Sequence, residues 1–207
     1  MKVLLINGSP HEKGCTYTAL SLIAGELKAQ GIETEILHVG GQPVGGCIGC
    51  GGCRSGNGCV FGGVVNEAIE KAKTADAFVF GSPVHYASAA GNMASFMDRL
   101  AYAGGKYLAY KPAAVCCSAR RAGTTSTLDQ LVKYPQFFHM PLVNGSYWAM
   151  VHGSNPEQVL QDAEGCAVMQ ELGRNMAWLL RCIEAGKAAG IDHPQNPRTQ
   201  DFLSKVL

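Results

Sequence analysis

The chain alternates short unbroken apolar runs with longer stretches whose apolar residues recur at helical spacing. Lys2–Asn7 (KVLLIN) is almost continuously apolar and runs into Asn-Gly, as a parallel strand buried on both faces should. Thr16–Gln30 places Leu20, Ile23, Ala24 and Leu27 on one helical face and stops at Gly31. Thr34–Val39 reads as a second strand, and Gly63–Thr74 as a helix with Val64, Ala68, Ile69 and Ala72 on one side. The same reading predicts a strand over Asp76–Gly81, a helix over Ala90–Ala103, a strand over Pro112–Cys117 and a helix over Thr125–Tyr134. A fifth strand falls near Pro141–Val143, with Tyr147–Val151 as its extension. Asn155-Pro156-Glu157 then has the form of a helix start: a capping side chain, a proline at the first helical position and an acid favoured by the dipole. Beyond it, Val159, Ala163, Cys166, Met169, Leu172, Met176, Leu179 and Ile183 trace one apolar stripe to Lys187.

Repeated strand–helix steps imply a parallel sheet with helices on both faces, in a single domain over 1–207. Such sheets bind ligands beyond the carboxyl ends of their strands. The loops to search are therefore Gly8–Thr16, Ser82–Gly91 and Ser118–Thr124. Composition narrows the class. With 47% apolar and 16% charged residues the chain is globular, and a net charge of +1 gives no basic bias for nucleic acid. No apolar run approaches a membrane span, and the four apolar residues after Lys2 suit a strand better than a signal peptide. A cytoplasmic address follows as the expectation, and in that reducing setting nine cysteines point to metal, redox work or burial rather than disulfides.

The first loop runs from Asn7-Gly8-Ser9 to Gly14-Cys15-Thr16-Tyr17 at a helix N-terminus, a ready anion site. It lacks the Gly-Lys-Ser/Thr of a nucleoside-triphosphate loop and the G-x-G-x-x-G of a dinucleotide site, and suits a monophosphate. The segment LLINGSPHEKGCTYTAL resembles the opening of the NADPH-dependent FMN reductase family. That resemblance implies a flavodoxin-like three-layer sandwich with a five-stranded parallel sheet, order 2-1-3-4-5, and an additional C-terminal helix over 155–190. It further implies FMN, with Ser9, His11, Cys15, Thr16 and Tyr17 around its phosphate. The bland alternative is an ordinary turn in which Thr16 caps the helix.

The stretch GSPVHYASAAGNMASFMDRL resembles the loop of the same family that holds the flavin ring. Carried over, its residues are Pro83, Val84, His85 and Tyr86, the aromatic packing beside the ring. His85 could donate to the flavin, protonate an acceptor, or simply form a wall. Asp98 and Arg99, at the helix end, could pair with each other or with a partner subunit and read as structural. In CCSARRAGTTST, position places Ser118, Ala119, Arg120 and Gly123 against the ring. Arg120 would stabilise the anionic reduced flavin, and either Arg120 or Arg121 could instead grip a nicotinamide phosphate or stand in water. Cys116 and Cys117 end a buried strand as core thiols.

The sharpest feature is Cys47, Cys50, Cys53 and Cys59, spaced C-x2-C-x2-C-x5-C among many glycines. Zinc ribbons separate their knuckles more widely, and bacterial ferredoxins place the fourth cysteine differently. The spacing resembles that of iron–sulfur flavoproteins, a branch of the same superfamily, and implies a [4Fe–4S] cluster; free or redox-active thiols are the alternative.

The leading expectation is an FMN-dependent oxidoreductase taking hydride from NAD(P)H and reducing a flavin, quinone or other small acceptor. The alternative is an iron–sulfur flavoprotein that carries electrons between protein partners such as ferredoxin. The resemblance also implies a homodimer or homotetramer, with Tyr147, Trp148 and His152 as cover for a neighbour's flavin or as an acceptor wall. Trp148 could otherwise fill the core.

Overall fold

A computed structural model describes residues 1–194. Its backbone is a parallel sheet in which β1 (Lys2–Asn7) pairs with β2 (Glu33–His38) on one side and β3 (Ala77–His85) on the other. Next come β5 (Ala113–Ala119) and β6 (Met150–His152), giving the order β2-β1-β3-β5-β6. The sixth strand, β4 (Ser88–Ala89), lies off this path and pairs antiparallel with the end of β3. The parallel strands thus keep the expected order, and the unforeseen strand is a two-residue hairpin arm.

Side chains leave alternate faces of a strand, so each apolar run feeds two cores. Val3 and Leu5 of β1, Ala77 and Val79 of β3, and Ala114 and Cys116 of β5 share one cluster with α1 (Cys15–Ala29) and α6 (Ala163–Ala188). Leu4, Ile6, Phe78, Phe80 and Ala113 face the other way, onto α2 (Val64–Thr74), α3 (Gly91–Gly104) and Leu131 of α4 (Thr124–Phe137). Two small residues set how closely the first helix approaches. A Cβ on Gly81 would stand 3.1 Å from Leu20 and Thr16, and one on Gly173 2.8 Å from the Ile23 carbonyl, so α1 is pressed between β3 and α6.

Three expectations are corrected. β3 does not stop at Gly81: Ser82 and Pro83 continue the ladder against Cys117 and Ser118, and Val84 and His85 then pair with β4. The fifth-strand position is interrupted. Leu142 makes a single parallel bridge to Ala113, the chain detours, and β6 resumes the edge at Met150. The C-terminal stripe belongs to two helices, α5 (Pro156–Gln161), capped by Asn155, and α6, capped by Asp162. Because Asp162 restarts the helix, the inward face of α6 is Gly165, Val168, Met169, Leu172, Gly173, Met176, Ala177 and Leu180, while Ala163 is exposed.

Candidate functional site

At the carboxyl ends of the strands the predicted loops converge. Gly8 N–H donates to the Gly81 carbonyl at 2.9 Å, and Thr16 shares a buried 2.8 Å hydrogen bond with Ser118. Gly153 N–H donates to Ala119 at 3.0 Å, which adds the loop after β6 to the same rim.

The first loop is organised by Asn7, a fully buried polar residue that sequence reading treated only as a strand end. Its Nδ2 donates to the Glu12 carbonyl at 2.9 Å, and its Oδ1 accepts from Ser9 N–H at 3.1 Å. Ser9 Oγ in turn accepts from His11 N–H at 3.1 Å, and the His38 ring lies 2.8 Å from the Ser9 carbonyl. These hydrogen bonds brace the loop from within. Helix α1 starts behind Gly14 with no side-chain cap and no acid in its first turn, which leaves the positive end of its dipole turned on the loop. Thr16 does not cap it, since its hydroxyl is committed to Ser118. Ser9 and Thr16 are buried, Tyr17 is half-buried and His11 is exposed. Cys15 faces elsewhere: its thiol reaches the Gly153 carbonyl at 3.6 Å, and burial pushes its pKa up, so it is a neutral thiol beside the loop.

The second loop is a tight hairpin. Tyr86 and Ala87 form its two-residue turn with φ of 50° and 60°, the left-handed pair that this hairpin type requires and that neither residue favours. Tyr86 is fully exposed at the tip. Helix α4 holds the hairpin in place: Gln130 Oε1 accepts from the Ser88 hydroxyl at 2.8 Å and from Ala89 N–H at 2.9 Å, and the Ser126 hydroxyl donates to the Ala87 carbonyl at 2.7 Å. Gly123, at φ 98°, is where the third loop meets it; a Cβ there would stand 2.7 Å from Ala87 Cα and 2.9 Å from Val84. Pro83 and Val84 are half-buried in this contact, whereas His85 is exposed. Ser118 and Ala119 are buried on the floor, and Arg120 and Arg121 are exposed beside it with no carboxylate paired to them among the described residues. An uncapped helix start, a strained exposed aromatic and two free guanidinium groups on one rim suit a phosphorylated planar ligand, and the residues present fit FMN.

The neighbouring thiols behave as core groups. Burial raises the pKa of Cys116 and pushes Cys117 up to about 12. Trp148 is exposed and packs edge-on against Tyr147 with centroids 4.8 Å apart, beside a groove of about 440 Å³, so it does not fill the core. His152 lies at the rim, its ring 3.6 Å from the Asp162 carboxylate. A cavity of about 660 Å³ lies at the opposite, amino end of the sheet, between Met1, Asp76, Lys111 and the end of α6. Size alone does not mark the site.

The cysteine loop forms a second centre. Asn92 anchors its entry by accepting from Val44 N–H at 3.1 Å and donating to the Gly40 and Gln42 carbonyls. Asn66 closes its exit, with its side chain bonded to both the N–H and the carbonyl of Cys59 at 2.8 and 3.0 Å. Between them Cys47, Cys50, Cys53 and Cys59 all line one pocket of about 320 Å³, walled by Phe61, Arg99, Tyr102 and Ala103. Among the described residues no three His, Cys, Asp or Glu side chains converge tightly enough to grip a single metal ion. A cluster differs from an ion in needing one thiolate at each of several corners. Four thiols lining one pocket are a donor set whose chemistry suits a [4Fe–4S] group. Arg99, expected to be structural, points here rather than at Asp98, which instead accepts from the Tyr134 hydroxyl at 2.6 Å.

Residues 1–155 match the model of the NADPH-dependent FMN reductase family. An iron–sulfur flavoprotein of Methanocaldococcus jannaschii is 28% identical over 192 residues, covering 89% of this chain and all of the relative. One from Archaeoglobus fulgidus is 36% identical over 99 residues, 48% of each chain. Among solved structures, RosB with a bound 8-demethyl-8-formylriboflavin-5′-phosphate intermediate superposes with a TM-score of 0.69 at 14% identity, over 95% of this chain and 90% of that one. A flavodoxin from the domain Archaea gives 0.59 at 14% identity, over 87% and 99%. Among the described residues no helix is long and apolar enough to cross a membrane. With its sheet order, the uncapped start of α1 behind its first loop and a family match over three quarters of its length, the chain belongs to the NADPH-dependent FMN reductase family, as an FMN-dependent oxidoreductase of flavodoxin-like fold.

Proposed function

We propose that this protein is an iron–sulfur flavoprotein that takes electrons from NAD(P)H at its FMN and passes them to a protein partner such as ferredoxin. The observation that carries this reading is the convergence of Cys47, Cys50, Cys53 and Cys59 on one pocket, with the Arg99 guanidinium on Cys59. FMN supplies hydride and single-electron chemistry when bound, and a [4Fe–4S] cluster supplies a single-electron store. The chain's own residues do the rest. The α1 N-terminus and the Ser9 loop bind the phosphate, the 86–87 turn presents Tyr86 to the ring, and Gly123 lets the third loop close on the hairpin. Helix α3 joins the two centres: it starts at Gly91, just after the hairpin, and Arg99 lies eight residues on, about 12 Å along the axis. The relatives that match along their whole length are also iron–sulfur flavoproteins, which supports the same reading.

A second reading is a nicotinamide-driven reductase of free flavin or quinone whose cysteines carry no metal. Arg120 and Arg121 favour it, since two exposed guanidinium groups beside the flavin rim suit the phosphates of a nicotinamide. Either form would work as a homodimer or homotetramer, with the exposed Tyr147 and Trp148 as covering surface. The deciding experiment is iron and acid-labile sulfide against FMN in protein purified without oxygen, followed by NADH or NADPH addition. About four irons per flavin support the first reading. Stoichiometric FMN with no iron, bleached directly by the nicotinamide, establishes the second.

A further inference from the structure

The Arg99 side chain is only 6% exposed, yet among the described residues no carboxylate pairs with it. Its neighbour Asp98 is turned to Tyr134. A buried cation without a counter-charge is costly, so a guanidinium held this way calls for an anion close by. Its hydrogen bonds run to the cysteine loop. Nε donates to Cys59 Sγ at 3.3 Å, Nη1 to the Gly45 carbonyl at 3.3 Å and Nη2 to the Gly62 carbonyl at 3.0 Å. Those two carbonyls stand on either side of the four cysteines, and the Phe61 ring covers the guanidinium at 5.5 Å. One rigid fork therefore ties both ends of the loop together and touches the last sulfur.

We propose that Arg99 is the clasp and the built-in counter-charge of the cysteine loop, holding its ends closed around a thiolate-bound iron–sulfur cluster and offsetting that cluster's negative charge. The inference rests on the iron–sulfur reading above. Planar guanidinium geometry matters because three separate nitrogens reach the three acceptors, whereas a lysine supplies its charge and its donors from a single nitrogen. A neighbouring donor to a ligand sulfur also tunes the metal it serves. Reduction adds one electron to the cluster, so a fixed cation nearby favours the reduced form, and removing it lowers the reduction potential.

The test compares parent, Arg99→Gln and Arg99→Lys proteins, each prepared without oxygen and reconstituted with iron and sulfide. FMN content reports that the fold is intact, because the flavin loops lie at the other end of α3. The readouts are the rate of iron loss to a chelator and the midpoint potential of the cluster. Arg99→Gln is expected to lose iron about tenfold faster or more and to shift to lower potential. Arg99→Lys should restore the potential more than the retention. If the parent takes up iron and Arg99→Gln matches it in both release and potential, the proposal is overturned and the cluster reading stands. A parent that takes up no iron overturns both together.

Discussion

Tyr86 is the residue at which local physics and use disagree most openly. A bulky side chain at φ 50° costs about 1–3 kcal/mol unless its surroundings impose it, and this ring meets only solvent. Tyr86→Asn, a residue that accepts left-handed backbone, is expected to leave the apoprotein as stable or more so. Its FMN binding should weaken by about 0.5–1.5 kcal/mol through loss of the aromatic contact. Urea unfolding of apoprotein and fluorescence titration with FMN separate the two effects; unchanged FMN affinity would remove Tyr86 from the flavin site. Gly123 has the opposite logic. At φ 98°, with Ala87 Cα 2.7 Å from any added Cβ, Gly123→Ala should cost about 1–3 kcal/mol and loosen the hairpin from α4. Stability equal to the parent would show that the two loops can part without penalty. Neither constraint was legible beforehand, because the sequence placed Tyr86 and Gly123 near a flavin without saying that they set each other's backbone.

At the scale of elements, pairing overrode local signals. Gly-Ser-Pro is a turn signal, yet β5 offers Ser82 and Pro83 a partner and the hairpin offers one to Val84, so β3 runs to His85. The reverse holds at Asp162, where one side chain accepts from Gly165 N–H at 3.0 Å and from His152 N–H at 2.7 Å, and splits an otherwise continuous stripe. Strand β2, at the sheet edge, is stitched down by charge. Glu35 lies 2.8 Å from Lys2 and 2.6 Å from Lys71. Hydrogen bonds from Lys2 and then Lys71 hold its carboxyl below the usual carboxylate range. A carboxyl lowered in the folded state adds stability above its unfolded pKa and loses it as pH falls toward the folded value. Glu35→Gln should therefore be less stable than the parent near neutral pH, with the gap closing below about pH 4 and shrinking in high salt. Paired urea titrations across that range check this, and a gap independent of pH would refute it.

For the whole molecule, both hydrophobic clusters are built from the sheet and its helices, and the cysteine loop contributes only Cys59 and Val44 at the margin of one of them. Metal chemistry and folding should thus be separable. A Cys47→Ser, Cys50→Ser double variant changes two exposed side chains outside either core. Compared with the parent after iron is removed from both, it is expected to keep its FMN and to unfold within about 0.5 kcal/mol per substitution, while it takes up less iron on reconstitution. Calorimetry with parallel iron and flavin assays tests this. A large drop in stability would mean that the loop helps to hold the fold.

By itself, the sequence determined the parallel sheet with its covering helices, the three loops at the carboxyl ends of its strands, and the close spacing of four cysteines in one loop. All of these follow from periodicity and short-range spacing, which a linear chain records directly. Only the tertiary structure decided which residues work at a distance. Asn7 shapes the first loop, Gln130 reaches 41 residues back to hold Ala89, and Arg99 reaches 40 back to Cys59. A buried polar side chain gives no periodic signal, and its partner is set by packing between elements far apart in the chain, so those roles appear only once the fold has closed.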